Sequence, residues 1–148
     1  MEKVDETDIE IVKELEKNAR TSFRKIAEKL DVSEGTVYNR VKRMQENGII
    51  KGFSARSNAM KLGKELEAVI GLRVNGGHLV EVEEKLSEKE PIRCVYDVTG
   101  EYDVILIGRF EAITQLNNFI KTVLAMDYVE RSSTHIVLNV VKEDFRTF

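Results

Sequence analysis

Residues 33–47 read SEGTVYNRVKRMQEN, from Ser33 to Asn47. Ser33 suits an N-cap, because its hydroxyl can accept from the free N–H groups of a first helical turn. Val37, Val41 and Met44 recur at helical spacing and form one narrow apolar stripe. The other side carries Gly35, Thr36, Asn39, Lys42, Arg43 and Glu46. A short capped helix with a positive, hydrogen-bonding face suits a DNA major groove. By itself the stretch fits a solvated amphipathic helix equally well, and its surroundings decide between the two.

Working back from Ser33, Asp31-Val32-Ser33 reads as a three-residue turn. Ahead of it, Thr21 or Ser22 caps a helix with Phe23, Ile26, Ala27 and Leu30 on one face. Asn18-Ala19-Arg20-Thr21 connects this to an earlier helix over 4–17. There Ile9, Val12 and Leu15 are the expected apolar line, with Ile11 and Val4 nearby. Asp5 is its expected N-cap, and Asp8 and Glu10 suit the positive end of the helix dipole. Two helices joined by so short a turn, with a third before them, predict a helix-turn-helix. Asn47-Gly48 closes the opening helix. The β-branched, Gly-punctuated run Ile49 to Ser54 predicts a wing strand or hairpin. Residues 1–54 are thus a winged helix-turn-helix domain. Residues 55–66 are a linker, expected to carry a strand that pairs across a dimer.

From Glu67 the pattern changes. The spacing predicts a buried strand over 68–74, a helix over 78–89 and a strand over 92–99. A second strand over 103–110 makes a hairpin with the first. A helix over 113–126, with Ile113, Leu116, Phe119, Ile120 and Val123 inward, and a strand over 129–141 follow. The order βαββαβ over 67–148 is that of a ferredoxin-like sandwich, so the fold class is α+β.

Bulk properties narrow the function. The chain has 148 residues and a net charge of −3, which argues against a generally basic nucleic-acid coat. Residues 1–60 hold 12 Lys+Arg and 11 Asp+Glu, and residues 31–60 hold 5 and 3, so the positive balance is local to the opening stretch. So small a footprint predicts modest affinity per copy and DNA binding by a dimer or larger body. One cysteine, Cys94, leaves no internal disulfide and reads as an apolar core residue. No apolar run reaches membrane-spanning length and the first residues are acidic, so a cytoplasmic protein with no membrane partner is expected.

At the DNA, Thr36, Tyr38 and Asn39 are the expected base-edge readers, being polar and near the N-terminal half of the helix. Asn39 suits bidentate pairing with adenine. Arg40, Lys42 and Arg43 are assigned to phosphates, which set register without reading sequence. Gly35 lets the helix approach closely. Ser33 can serve phosphate or cap, Thr21 and Ser22 offer a phosphate cradle at a helix N-terminus, and Lys51 is a further candidate. Two alternatives stay open: Arg40 in a structural ion pair with an acid of the first helix, and Tyr38 partly in the core. No nucleophile–base pair, Gly-rich phosphate loop or metal-ligand cluster supports an enzyme, and no cofactor or metal is expected.

Several stretches carry a resemblance. In the first domain they are Asp5…Asp8-Ile9, Asn18-Ala19-Arg20, Ile26-Ala27, Leu30, Ser33…Val37…Arg40-Val41…Met44 and Gly48-Ile49-Ile50. In the second they are Leu62-Gly63, Val98-Thr99-Gly100-Glu101-Tyr102-Asp103 and Thr134-His135-Ile136-Val137-Leu138. With them the chain resembles the Lrp/AsnC (leucine-responsive, feast/famine) family over nearly its whole length. Met44 stands where leucine is usual, and the linker lacks a commonly seen proline. The resemblance implies a transcriptional regulator that binds double-stranded promoter or operator DNA through its first domain. It implies a second, RAM domain that forms homodimers, commonly assembling to octamers, with an amino acid or similar effector bound between dimers. The effector site it implies centres on Gly100, Glu101, Tyr102 and Asp103, with Thr134 and Ile136 lining the same cleft. The alternative is that Gly100 and Asp103 only shape a tight hairpin.

Overall fold

The computed structural model describes residues 4–148. The chain divides into two compact units. One comprises the residues up to Arg56 together with Glu143–Phe148, and the other is Ser57–Lys142. The second domain was expected to run to residue 148. Its last six residues instead pack with the first unit.

In the first unit, α1 is Glu6–Lys17, α2 is Phe23–Leu30 and α3 is Glu34–Glu46. All three begin on side-chain caps: Asp5, Ser22 and Ser33 accept from the backbone of Asp8, Lys25 and Thr36. At α1 the cap is reciprocal, because the Asp8 carboxylate also accepts from the Asp5 N–H at 3.2 Å. The turn between α2 and α3 closes with Asp31 in the left-handed region.

The core of this unit is small: Ile11, Leu15, Ile26, Ala27, Val37, Val41 and Met44. The α2 and α3 stripes are as expected. The α1 line is not, since Ile9 and Val12 are only half-buried and the inward face is Asp8, Ile11 and Leu15. A carboxylate takes the place expected of an apolar residue because α3 supplies it with partners.

The expected wing strand does not form. Residues 49–54 carry no ladder among the described residues. The N–H groups of Ile49 and Ile50 both donate to the Met44 carbonyl, at 2.8 and 3.1 Å. They finish α3 through a left-handed Gly48 (φ 70°), and so are not available to a strand partner. Within the single chain, linker residues 55–65 form a 3-10 turn at Met60–Leu62, and the last linker residue, Leu66, opens the first strand of the second unit.

The second unit runs β1 (Leu66–Val74), α4 (Leu79–Ser87), β2 (Ile92–Asp97), β3 (Val104–Phe110), α5 (Ile113–Leu124) and β4 (Val129–Ile136). The strands form one antiparallel sheet in the order β2-β3-β1-β4. Both helices pack on one face, where Ala68, Ile70, Leu72, Val104, Leu106 and Phe110 meet Val82, Leu86, Leu116, Phe119 and Val123. Ile113, expected inward, is 54 % exposed as the first residue of α5. β4 stops five residues short of its expected end. Val137 N–H makes a last bond to the Glu67 carbonyl, and β1 begins at Leu66, so nothing remains to pair with residues 138–141.

The opposite sheet face follows from strand alternation. Val69, Gly71, Ile105, Ile107, Cys94 and Tyr96 lie there by register, and neither helix covers them. Cys94 is half-buried on this face and not in the core.

Candidate functional site

On α3, burying Val37, Val41 and Met44 turns the other side outward. Gly35, Tyr38, Asn39 and Lys42 are exposed. Tyr38 is 53 % exposed and meets Phe23 edge-on at 6.4 Å, so its ring rests on the unit's margin while much of it faces solvent. A Cβ on Gly35 would meet only the Ser33 hydroxyl, at 3.8 Å. Nothing inside the chain requires a glycine there. Ser33 is occupied as a cap, accepting from Thr36 N–H at 3.0 Å and sharing a bond with the Thr36 hydroxyl at 2.8 Å. Ser22 accepts from Lys25 N–H at a long 3.4 Å, with half-buried Thr21 beside it. Lys51 is exposed beyond the helix end.

Arg40 and Arg43 do not project with the others. Arg40 Nη1 donates to Asp8 Oδ1 at 2.8 Å and to both oxygens of Asp5, at 2.8 and 2.7 Å. Arg43 Nη2 donates to Asp8 Oδ2 at 2.7 Å. The assignment of Arg40 to phosphate gives way to the ion pair with the first helix. The Asp8 side chain is 1 % exposed, against 25 % for Arg40 and 34 % for Arg43. A carboxylate buried so far needs full hydrogen bonding, and two guanidinium groups with a backbone N–H supply it. The Arg40 guanidinium, aided by the Asp8 N–H, holds the Asp5 carboxyl below its ordinary value. Asp5 and Asp8 in turn hold Arg40 more firmly protonated. Asp8 was not among the expected site residues. The three-residue spacing of Asp5 and Asp8 was the signal for a reciprocal cap, but its partner on α3 lies 32 residues away.

The second cluster is the turn between β2 and β3. Gly100 has φ 120°, which favours glycine, and sits at the apex. Asp103 is drawn inward: its N–H donates to the Leu72 carbonyl at 2.9 Å, and its Oδ2 accepts from Val74 N–H at 2.9 Å. Arg73 donates to the Glu101 carbonyl at 2.9 Å, with its Nη1 3.5 Å from Asp103 Oδ1. Arg131 pairs with Glu101 at 3.0 Å and lies 6.0 Å from the Tyr102 ring centre. Tyr102 lies flat over Gly71, where a Cβ would fall 2.7 Å from its ring.

These contacts bring Gly100, Glu101, Tyr102 and Asp103 together. They do not bring Thr134 and Ile136 to the same cleft. Thr134 pairs with Ile70 and Ile136 with Ala68, both of which face the helices. Ser133 pairs with Gly71 and Arg131 with Arg73, so Arg131, Ser133 and His135 share Tyr102's side. Strand alternation alone could have separated the two sets, but only with the β1–β4 register known.

A capped three-helix unit with an exposed polar face on its third helix, followed by a βαββαβ sheet unit, defines a helix-turn-helix DNA-binding protein with an appended regulatory domain. Residues 4–51 match a winged helix-turn-helix DNA-binding model, and residues 67–147 match the Lrp/AsnC ligand binding domain. The chain is 45 % identical over 143 residues to an uncharacterized HTH-type transcriptional regulator of Pyrococcus furiosus, covering 97 % of each. It is 36 % identical over 140 residues to the HTH-type transcriptional regulator FL11 of the same organism, covering 95 % of this chain and 93 % of that one. The structure of Escherichia coli AsnC superposes with a TM-score of 0.86 at 26 % identity, covering 95 % of this chain and 96 % of that one. The chain belongs to the Lrp/AsnC family: it is a DNA-binding transcriptional regulator with a ligand-binding domain. Among the described residues no helix is long and apolar enough to cross a membrane.

Proposed function

We propose that α3 reads operator DNA with Thr36, Tyr38 and Asn39, while Gly35 gives it close approach and Lys42 and Lys51 contact phosphates. The observation that carries this reading is the outward face of α3, where Gly35, Tyr38, Asn39 and Lys42 stand exposed above the buried Val37, Val41 and Met44. Thr21, Ser22 and Ser33 sit at helix N-termini suited to phosphate, once their present caps are shared. Arg43, a third exposed, adds charge from the flank. Arg40 fixes the pose of α3 on α1.

The protein binds DNA as a homodimer. The sheet face bearing Val69, Ile105, Ile107 and Tyr96 supports this, since neither helix covers it. Dimers assemble further, to octamers. A small effector, an amino acid or similar molecule, binds around Gly100, Glu101, Tyr102 and Asp103. The match to a ligand-binding domain supports an effector, and the turn's exposed Gly100 and Glu101 leave it approachable.

The test is binding to promoter fragments, its own upstream region first, against random duplex. Asn39→Ala should lose about 10- to 100-fold on the specific site and little on random DNA, the loss of one bidentate base contact. Equal losses on both would remove Asn39 from the readers. Sedimentation would report a monomer if the sheet face were not an interface. Thermal-shift screening against the amino acids would show no response if the hairpin were structural only.

A further inference from the structure

Beyond β4 the chain returns to the first unit, and the contacts there are specific. Glu16, near the end of α1, accepts two successive backbone N–H groups. Thr147 donates to Oε1 at 2.8 Å and Phe148 to Oε2 at 3.1 Å. Lys13, one turn earlier, lies 5.5 Å from the centre of the Phe148 ring. Arg56 donates to the Glu143 carbonyl at 2.8 Å, and Arg146 pairs with Asp144 at 2.7 Å. Below this segment runs a groove of Val12, Leu15, Ile49, Ile50 and Phe53, with Phe145 along it. Partial burial pushes the Glu16 carboxyl up, but the Thr147 and Phe148 N–H groups outweigh it and leave the group below its ordinary value.

We propose that Glu143–Phe148 is a strap that completes the DNA-binding unit, clamped by Glu16. Apolar burial alone would not hold it, because Phe145 is 73 % and Phe148 56 % exposed. Two charge-assisted bonds on one carboxylate are what fix the segment. The strap has a topological consequence. The chain passes between the units at Arg56–Ser57 and again at Lys142–Glu143, so the sheet unit is tethered to the DNA-binding unit at both ends. The second tether ends on α1, two turns from Asp8, the residue that anchors Arg40 and Arg43. The strap thereby gives α1, the helix that positions α3, a second set of contacts from the chain that leaves the sheet unit. None of these contacts depends on which α3 residues read bases.

Amide hydrogen exchange on the full chain tests it. Glu16→Ala should speed exchange about three- to tenfold at Thr147 and Phe148, in the last turn of α1 and at Ile49 and Ile50, and leave β1 unchanged. Alanine is the better helix former, so lost protection in α1 cannot come from propensity. A variant ending at Lys142 should show the same loss in α1. Adding Glu16→Ala to it should change nothing more. Unchanged α1 protection without residues 143–148, or an undiminished effect of Glu16→Ala in the shortened chain, would overturn the proposal.

Discussion

The Arg40 guanidinium reaches back from α3 to donate, at 2.8 Å, to the Asp8 carboxylate buried in α1. Asp8 also caps its own helix and takes Arg43, so one side chain joins the N-terminus of α1 to the middle and last turn of α3. The small core leaves the orientation of α3 dependent on this ionic contact. Removing Asp8 takes away the buried partner that Arg40 and Arg43 share and leaves Arg40 on the more exposed Asp5. Asp8→Ala is expected to destabilise the DNA-binding unit by about 1–3 kcal/mol through the lost charge-assisted bonds, read by circular dichroism in denaturant. A loss under about 0.5 kcal/mol would reduce the pair to a surface contact.

Asp5 reports the same network by pH. Its folded carboxyl titrates below the ordinary 3.8, chiefly through the Arg40 bond and then the Asp8 N–H. A depressed carboxylate adds stability above its unfolded value, and that contribution fades as pH falls through the folded one. The loss therefore belongs below pH 3.8, with none at neutral pH. In an NMR titration, Arg40→Gln should raise the Asp5 midpoint toward 3.8. An unmoved midpoint would assign the depression to the cap alone.

Gly35 separates fold from function. An alanine methyl there would have only Ser33 Oγ near it, at 3.8 Å, so Gly35→Ala fits without strain. It should stabilise the protein by about 0.4–1 kcal/mol, because alanine gives up less backbone freedom. It should also weaken DNA binding if α3 lies close in the groove. Gain of stability with unchanged affinity would place α3 farther from the bases.

Gly71 and Tyr102 are matched in space. A methyl at 71 would stand 2.7 Å from the ring, so Gly71→Ala must push Tyr102 off the sheet. The expected cost is about 1–3 kcal/mol, with altered effector response where one exists. Tyr102→Ala in the same chain should recover most of that stability. No recovery would locate the strain elsewhere in β1.

Local chemistry was legible in the residues themselves. Ser33, Ser22 and Asp5 announced helix starts, the stripes of α2 and α3 announced their buried sides, and the change of period after Glu67 announced the sheet unit. These features depend on neighbours within a few positions, so the sequence by itself determined them. The family followed from the same stretches.

Tertiary structure decided whatever depended on a distant partner. Asp8 faces inward because α3 brings Arg40 and Arg43 to it. Residues 49–54 do not become a wing strand because the Met44 carbonyl takes their first two donors. Thr134 and Ile136 part from the Gly100–Asp103 turn because register puts odd and even positions of β4 on opposite faces. Glu16 meets Thr147 across 131 residues. The physical reason is common to all four: periodicity encodes which side of an element is apolar, whereas the identity of a polar group's partner is set only when the elements pack.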